Sequence, residues 1–215
     1  MNNLTEVFEN SKENMFFKEL DFFKKLTDKE KKSLFYPGLI INVAQYTGYP
    51  EKDAKELALL AQMLFYSIEI HEKILEANEV NNLVILEGDH LYSKVFQKIT
   101  RSVHIENISK FTNYMKNFCE KRIMYLDGLI TENEVTEYKY KQISKLVMEI
   151  IAEGNNDIML TALELSSLYI VYLKNESIFP DEKKNLLNKF KEKDEKVFDL
   201  VKKIVDSMEG VASEY

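Results

Sequence analysis

The chain has 215 residues, of which 45% are hydrophobic and 30% are charged, a composition typical of one globular domain and unlike that of collagen-like, disordered or disulfide-rich proteins. Its formal charge of −7 makes the molecule as a whole repel phosphate backbones, so nucleic acid is not expected as a partner. Six Gly and three Pro are too few turn-forming residues for a many-stranded β protein, and we therefore expect an all-α fold.

The cysteine content and the apolar runs indicate a cytoplasmic protein. Cys119 is the only cysteine, so it cannot form an internal disulfide, and with three scattered histidines it does not make a zinc site. Residues 1–14 lack the basic and apolar regions of a signal peptide. The apolar run at residues 57–68 is shorter than the ~20 residues that a membrane-spanning helix needs, so we predict a buried core helix there and no membrane span.

The predicted helices follow one another without a linker rich in Pro, Gly or Ser, which predicts one domain over residues 1–215. Apolar residues spaced three or four apart predict helices over residues 4–26, 39–46, 50–77, 83–99, 105–128, 131–154, 156–175 and 180–208. A capping box marks two helix starts, one formed by Thr27 and Glu30 and the other by Thr131 and Glu134. The Pro-Gly pair at positions 37 and 38 is predicted to interrupt the chain between helices.

The apolar pattern also predicts how deeply some helices lie. Residues 83–99 carry apolar side chains on both sides of Gly88, and residues 156–175 are apolar on most sides, so we expect the first deep in a bundle and the second at its centre. Residues 180–208 have an apolar stripe between faces of Lys and Glu. We interpret this as a core stripe with a solvated face, and a membrane-surface or partner-binding helix as the alternative.

Four acidic residues share one face of the longest predicted helix: Glu69, Glu72, Glu76 and Glu79. Carboxylates stacked in this way can hold Mg²⁺ through a few oxygens, but no matching second acidic pair is present, so we interpret the row as solvated surface. A weak metal site at Glu72 and Glu76 is the alternative. Glu87 and His90 form one Glu-x-x-His motif, whereas a di-iron bundle uses two. We interpret His71 as structural and not as a catalytic base.

Four segments then occur in a familiar order, at residues 36–41, 47–52, 61–71 and 88–94. In this order they resemble an Arg-Pro-apolar helix start, a Gly-x-Pro-Glu turn, a helix that leads into an aspartate-rich motif, and the signature Gly-Asp-Tyr-Leu-x-x-Arg. Gly88 and Asp89 correspond to the Gly-Asp of that signature. Together they resemble the trans-prenyl diphosphate synthases, all-α enzymes that condense allylic diphosphates with isopentenyl diphosphate. The resemblance implies a single-domain helical bundle of the isoprenoid synthase type.

The chain departs from these synthases where they bind metal and diphosphate. The family's first Asp-Asp-x-x-Asp motif corresponds here to a degenerate motif of Glu72, Lys73 and Glu76, in which a lysine ammonium repels Mg²⁺. No Asp-Asp pair exists for a second motif, and residues 33–36 lack the positive charges of the family's Gly-Lys-x-x-Arg segment. Residues 117–125 resemble a stretch of the small, non-catalytic subunit, component I, of heterodimeric hexaprenyl and heptaprenyl diphosphate synthases.

This resemblance implies a regulatory subunit without catalytic residues or cofactors of its own. It would form a heterodimer with a catalytic large subunit that binds the Mg²⁺, and would help set product length in the biosynthesis of respiratory quinone side chains such as that of menaquinone. By position, Leu64, Ser67 and Ile68 would line the product tunnel, or would pack as ordinary core. Two alternatives stay open: a stand-alone homodimer that binds an isoprenoid or lipid in its apolar tunnel, and an enzyme that retains weak metal-dependent diphosphate chemistry.

Overall fold

Eight α-helices and one 3₁₀ turn account for most of the residues that the computed structural model describes, which are 35–76, 82–192 and 194–213. The helices are α1 (Phe35–Thr47), α2 (Glu51–Glu76), α3 (Asn82–Ile99), α4 (Ile108–Leu126), α5 (Glu132–Ile151), α6 (Asn156–Lys174), α7 (Phe179–Lys191) and α8 (Glu195–Ser213), with the 3₁₀ turn at Ile105–Asn107. These ranges contain no strand, which confirms the all-α prediction. The helix predicted at 4–26 and the capping box of Thr27 and Glu30 lie outside the described residues.

Local signals in the sequence set several helix ends. Gly48, Gly128 and Gly154 follow α1, α4 and α5 with φ values of 75°, 72° and 84°, the left-handed conformation in which glycine commonly ends a helix. The predicted capping box at the start of α5 is confirmed. The Glu134 backbone N–H donates to Thr131 Oγ1 at 3.3 Å, and the Thr131 backbone N–H donates to Glu134 Oε2 at 2.7 Å.

The predicted interruption at positions 37 and 38 is wrong, because both residues lie within α1. Both Pro37 and Gly38 are buried. The helix therefore continues through a pair of residues that more often marks a turn.

The single helix predicted over residues 180–208 is also wrong, because the chain forms α7 and α8 with a break between them. Asp194 supplies the physical reason. Its Oδ1 accepts a hydrogen bond from the Val197 backbone N–H at 3.0 Å, which is the contact that a helix N-cap makes. The two helices pack against each other, and Lys183 Nζ lies 3.8 Å from Asp206 Oδ1 between them.

The core lies around α1, α2, α5 and α6. Helix α2 packs on α1, α3 and α5, and nearly all of its residues 57–68 are buried, as predicted. Helix α6 packs on α1, α5, α7 and α8, which confirms its central position. Helix α3 differs from the prediction: among the described helices it packs mainly on α2, and Leu86 is 63% exposed. Within the described ranges, no helix is long and apolar enough to cross a membrane.

Candidate functional site

A partly buried ion-pair network joins three helices near the end of α2. Lys139 of α5 donates hydrogen bonds from Nζ to Glu69 Oε1 and to Glu72 Oε2, the second at 2.6 Å, and both acceptors belong to α2. Arg122 of α4 places Nη1 at 3.8 Å from Glu72 Oε1. We call these four residues the Lys139 cluster. Because Lys139 is only 6% exposed, its ammonium is held inside the bundle.

Two aromatic rings lie near the ammonium. Lys139 Nζ lies 5.0 Å from the centroid of the Tyr140 ring and 5.6 Å from that of Phe65, distances at which a cation is attracted to a π face. Two buried phenols fix the α5 backbone here. Tyr114 Oη donates to the Lys139 carbonyl and Tyr36 Oη to the Tyr140 carbonyl, each at 3.3 Å. The Lys139 ammonium thus lies in a largely desolvated environment, in which its electrostatic interactions are stronger than in water.

The charge state of Lys139 follows from two opposing effects. Burial lowers its pKa, but the nearby carboxylates of Glu69 and Glu72 outweigh burial and hold the pKa of Lys139 above its ordinary value of 10.5. The side chain is therefore an ammonium at neutral pH and cannot act as a base or nucleophile. With Arg122 as the second cation, the two positive and two negative charges of the cluster balance.

These contacts change the interpretation of the acidic helix face. The side chains of Glu69 and Glu72 are 31% and 16% exposed and are paired with Lys139, so the interpretation as solvated surface does not hold for these two. The side chains of Lys73 and Glu76, and all of Glu79, lie outside the described residues. A metal at Glu72 and Glu76 stays a prediction, and the described part of the chain contains no group of three or more His, Cys, Asp or Glu placed to hold a metal ion.

His71 joins two of the segments that carry the resemblance. A Cβ atom built at Gly88 of α3 would lie 2.8 Å from His71 Nε2, so the absence of a side chain at Gly88 lets the imidazole of α2 lie against α3. His71 Nε2 also lies 3.4 Å from Asp89 Oδ1. These contacts agree with a structural role for His71. The side chain of Glu87 lies outside the described residues, and His90 is exposed.

The predicted tunnel residues lie together on the buried face of α2. Leu64, Ser67 and Ile68 are 0%, 0% and 1% exposed, and the Ser67 hydroxyl donates to the Leu64 carbonyl at 2.8 Å. The serine hydroxyl is thus satisfied within its own helix and leaves a small, apolar surface toward the core. That these residues line a tunnel stays a prediction.

Sequence reasoning missed Lys139, although the sequence contains a signal for it. Lys139 lies at i+4 from Val135 and at i−4 from Ile143, two positions that belong to the buried stripe of α5. A lysine within such a stripe is rarely buried unless it is paired, so its position indicates a buried acidic partner elsewhere.

No family model, curated protein sequence or solved structure matches the chain.

Proposed function

We propose that this chain is the non-catalytic subunit of a long-chain prenyl diphosphate synthase, where it assists a catalytic partner and helps to set product length. The proposal starts from the resemblance of residues 36–125 to this family. One structural observation carries it further: Glu72, the first acid of the degenerate motif, is already paired with Lys139, as is Glu69 one turn before it.

The chemistry of the reaction explains why this pairing favours a non-catalytic role. Loss of diphosphate from an allylic substrate is helped by Mg²⁺ ions that neutralise the departing charge. An ammonium between two carboxylates neutralises part of their negative charge, so they attract a divalent ion less strongly. The ammonium also repels a divalent ion directly. A chain with this arrangement therefore depends on a partner for its metal-binding acids.

Two experiments test the subunit role. The purified chain, supplied with Mg²⁺, farnesyl diphosphate and isopentenyl diphosphate, should give no elongated product, and turnover by the chain alone would contradict the proposal. The tagged chain, recovered gently from its own cells, should carry an equimolar partner with two intact Asp-Asp-x-x-Asp motifs, identified by mass spectrometry. Recovery of a homodimer alone would favour the isoprenoid-binding alternative instead.

The predicted influence on chain length is tested in the reconstituted complex. Ser67→Leu adds volume to the buried face of α2, so the longest product should become shorter by one or more isoprene units. Ser144→Leu is the matched control, since Ser144 is also fully buried but lies on α5 beside Ser166. Products are compared by chromatography after dephosphorylation. An unchanged product from a folded Ser67→Leu complex would contradict the tunnel role of Ser67.

A further inference from the structure

We propose that the apolar segment before α1, residues 4–26, packs on an exposed apolar surface at the end of α4. Ile123 and Leu126 of α4 and Leu129 of the turn that follows form this surface, which we call the α4 surface. The three residues are 57%, 60% and 68% exposed. Adjacent exposed apolar side chains commonly mark an interaction site. The inference does not rest on the proposed function.

The way in which α4 ends makes the α4 surface continuous. Ile123 and Leu126 are three residues apart and are therefore neighbours on one helix face. The Leu129 backbone N–H donates to the Met124 carbonyl at 2.8 Å, which folds the turn back against the last turn of the helix. The buried residues of α4, among them Phe118, lie on another face. Helix α4 thus packs into the core and still presents a second apolar face.

The start of α1 is directed toward the end of the bundle that carries the α4 surface. Helices α1 and α2 form a hairpin, in which the ring of Tyr36 lies 5.2 Å from that of Phe65. Helix α2 continues in the same direction for two turns to Glu72, whose Oε1 lies 3.8 Å from Arg122 Nη1 of α4. Arg122 is the residue before Ile123. The chain that precedes Phe35 therefore enters the bundle from the side of the α4 surface.

Residues 4–26 have a sequence that suits this surface and a connection that reaches it. Their apolar residues recur at helical spacing, at Leu4, Val7, Phe8, Met15, Phe16, Leu20, Phe23 and Leu26. Such a stripe is stabilised by burial against another apolar face. The connection, residues 27–34, spans up to ~26 Å when extended, whereas the two turns of α2 cover only ~10 Å. Because the segment is covalently attached, its effective concentration at the α4 surface is high, which favours it over a separate molecule.

Cys119 allows a test in the full chain. It is the only cysteine, it is exposed, and it lies one turn before Ile123 on the same side of α4. A nitroxide attached to Cys119 broadens the NMR signals of methyl groups close to it. Methyl-labelled methionine provides one probe within the segment, Met15, and a positive control on α4, Met124. We expect the Met15 signal to lose most of its intensity relative to the sample with reduced nitroxide.

Substitutions on the α4 surface test the contact itself. Ile123→Lys combined with Leu126→Lys should restore the Met15 signal, while Met124 stays broadened. The melting temperature, Tm, of this variant should fall by roughly 5 °C, because apolar contacts are lost. Leu160→Lys is the matched control, since Leu160 of α6 is also 57% exposed. It should leave Met15 broadened and change the Tm by less than about 2 °C.

Three results would overturn the proposal. A Met15 signal that the nitroxide does not affect would mean that the segment packs elsewhere. Broadening that persists with Ile123→Lys and Leu126→Lys would mean that the segment lies near α4 but not on the α4 surface. The third result comes from a mixture of nitroxide-labelled chain with methyl-labelled chain that carries no nitroxide. Broadening of Met15 in this mixture would assign the contact to a second copy of the chain.

Discussion

Lys139 links α5 to α2 through two carboxylates, and its removal would leave both of them without their shared cation. Breaking a buried ion pair from one side typically costs about 3–5 kcal/mol. Here Glu69 is 31% exposed and Glu72 keeps Arg122 at 3.8 Å, so we expect the lower end of that range. We predict that Lys139→Met lowers the free energy of unfolding by about 3 kcal/mol. Urea denaturation at neutral pH without divalent ions measures this change.

The control for this prediction is Lys141→Met on the same helix. Lys141 Nζ lies 2.8 Å from Glu137 Oε2, but the two side chains are 32% and 57% exposed, so their pairing contributes less than about 1 kcal/mol. Similar losses of unfolding free energy for the two variants would contradict the importance assigned to burial.

The contribution of Lys139 to stability depends on pH with a definite sign. Since the pKa of Lys139 is raised above 10.5, its contribution is complete below pH 10.5 and is lost as the pH rises through the higher, folded-state value.

The contact between His71 and Gly88 permits a second test with single residues. Gly88→Ala alone adds a methyl group that would lie 2.8 Å from His71 Nε2, so the imidazole must move away from α3. In a His71→Ala background the same change meets no ring and should raise the free energy of unfolding by about 1 kcal/mol through helix propensity. We predict a clearly smaller gain, or a loss, when His71 is present.

A double-mutant cycle measured by urea denaturation gives the coupling between the two positions. The side chain of His71 is 35% exposed, so it has space to turn outward, and the expected coupling reflects lost packing and the lost contact with Asp89. The same gain from Gly88→Ala in both backgrounds would mean that the close approach of α2 and α3 does not depend on the glycine.

At the scale of the elements, the sequence predicts a helix end where residues close in the chain determine it. The capping box of Thr131 with Glu134 and the left-handed glycines at 48 and 128 act within a few residues, so the sequence contains the whole signal. Lys139 could not be paired in the same way. Its acceptors Glu69 and Glu72 are 70 and 67 residues away, and only the packing of α5 on α2 brings them together.

The break between α7 and α8 shows the same limit for an element. Residues 180–208 are rich in Lys and Glu, good helix formers that favour a continuous helix, and the apolar stripe continues through the break. Asp194 is the one local signal, and as an N-cap it is ambiguous beside so many other acids. The contacts of α8 with α1, α6 and α7 act together with the Asp194 cap in favour of two helices.

The cap itself is open to a direct test. Asp194→Ala removes the acceptor for the Val197 backbone N–H and should lower the free energy of unfolding by about 1 kcal/mol. Asp194→Asn is the matched control, because its side-chain oxygen retains the hydrogen bond and only the charge is lost. Chemical denaturation of both variants gives the comparison. A loss of equal size for Asn and Ala would assign the effect of Asp194 to its charge and not to the cap.

At the scale of the whole molecule, the helices differ in how many neighbours hold them. Helix α2 contacts α1, α3 and α5 and is almost fully buried over residues 57–68, whereas α3 packs mainly on α2. Local opening requires less free energy where fewer buried contacts are broken. The fold should therefore contain a stable centre of α1, α2, α5 and α6, with α3 as a less stable layer on one side.

Hydrogen exchange in increasing denaturant tests this arrangement. Amides of residues 57–68 in α2 should exchange only when the whole domain unfolds, since no smaller opening exposes them. Amides of residues 88–99 in α3 should exchange through an opening of lower free energy, because α3 can separate from α2 while the contacts of α1, α5 and α6 persist. Helix α1, buried from Phe35 to Ile41, provides the internal reference for global unfolding. Equal exchange free energies in α2 and α3 would mean that the two helices unfold as one cooperative unit, with the His71–Gly88 contact helping to hold them together.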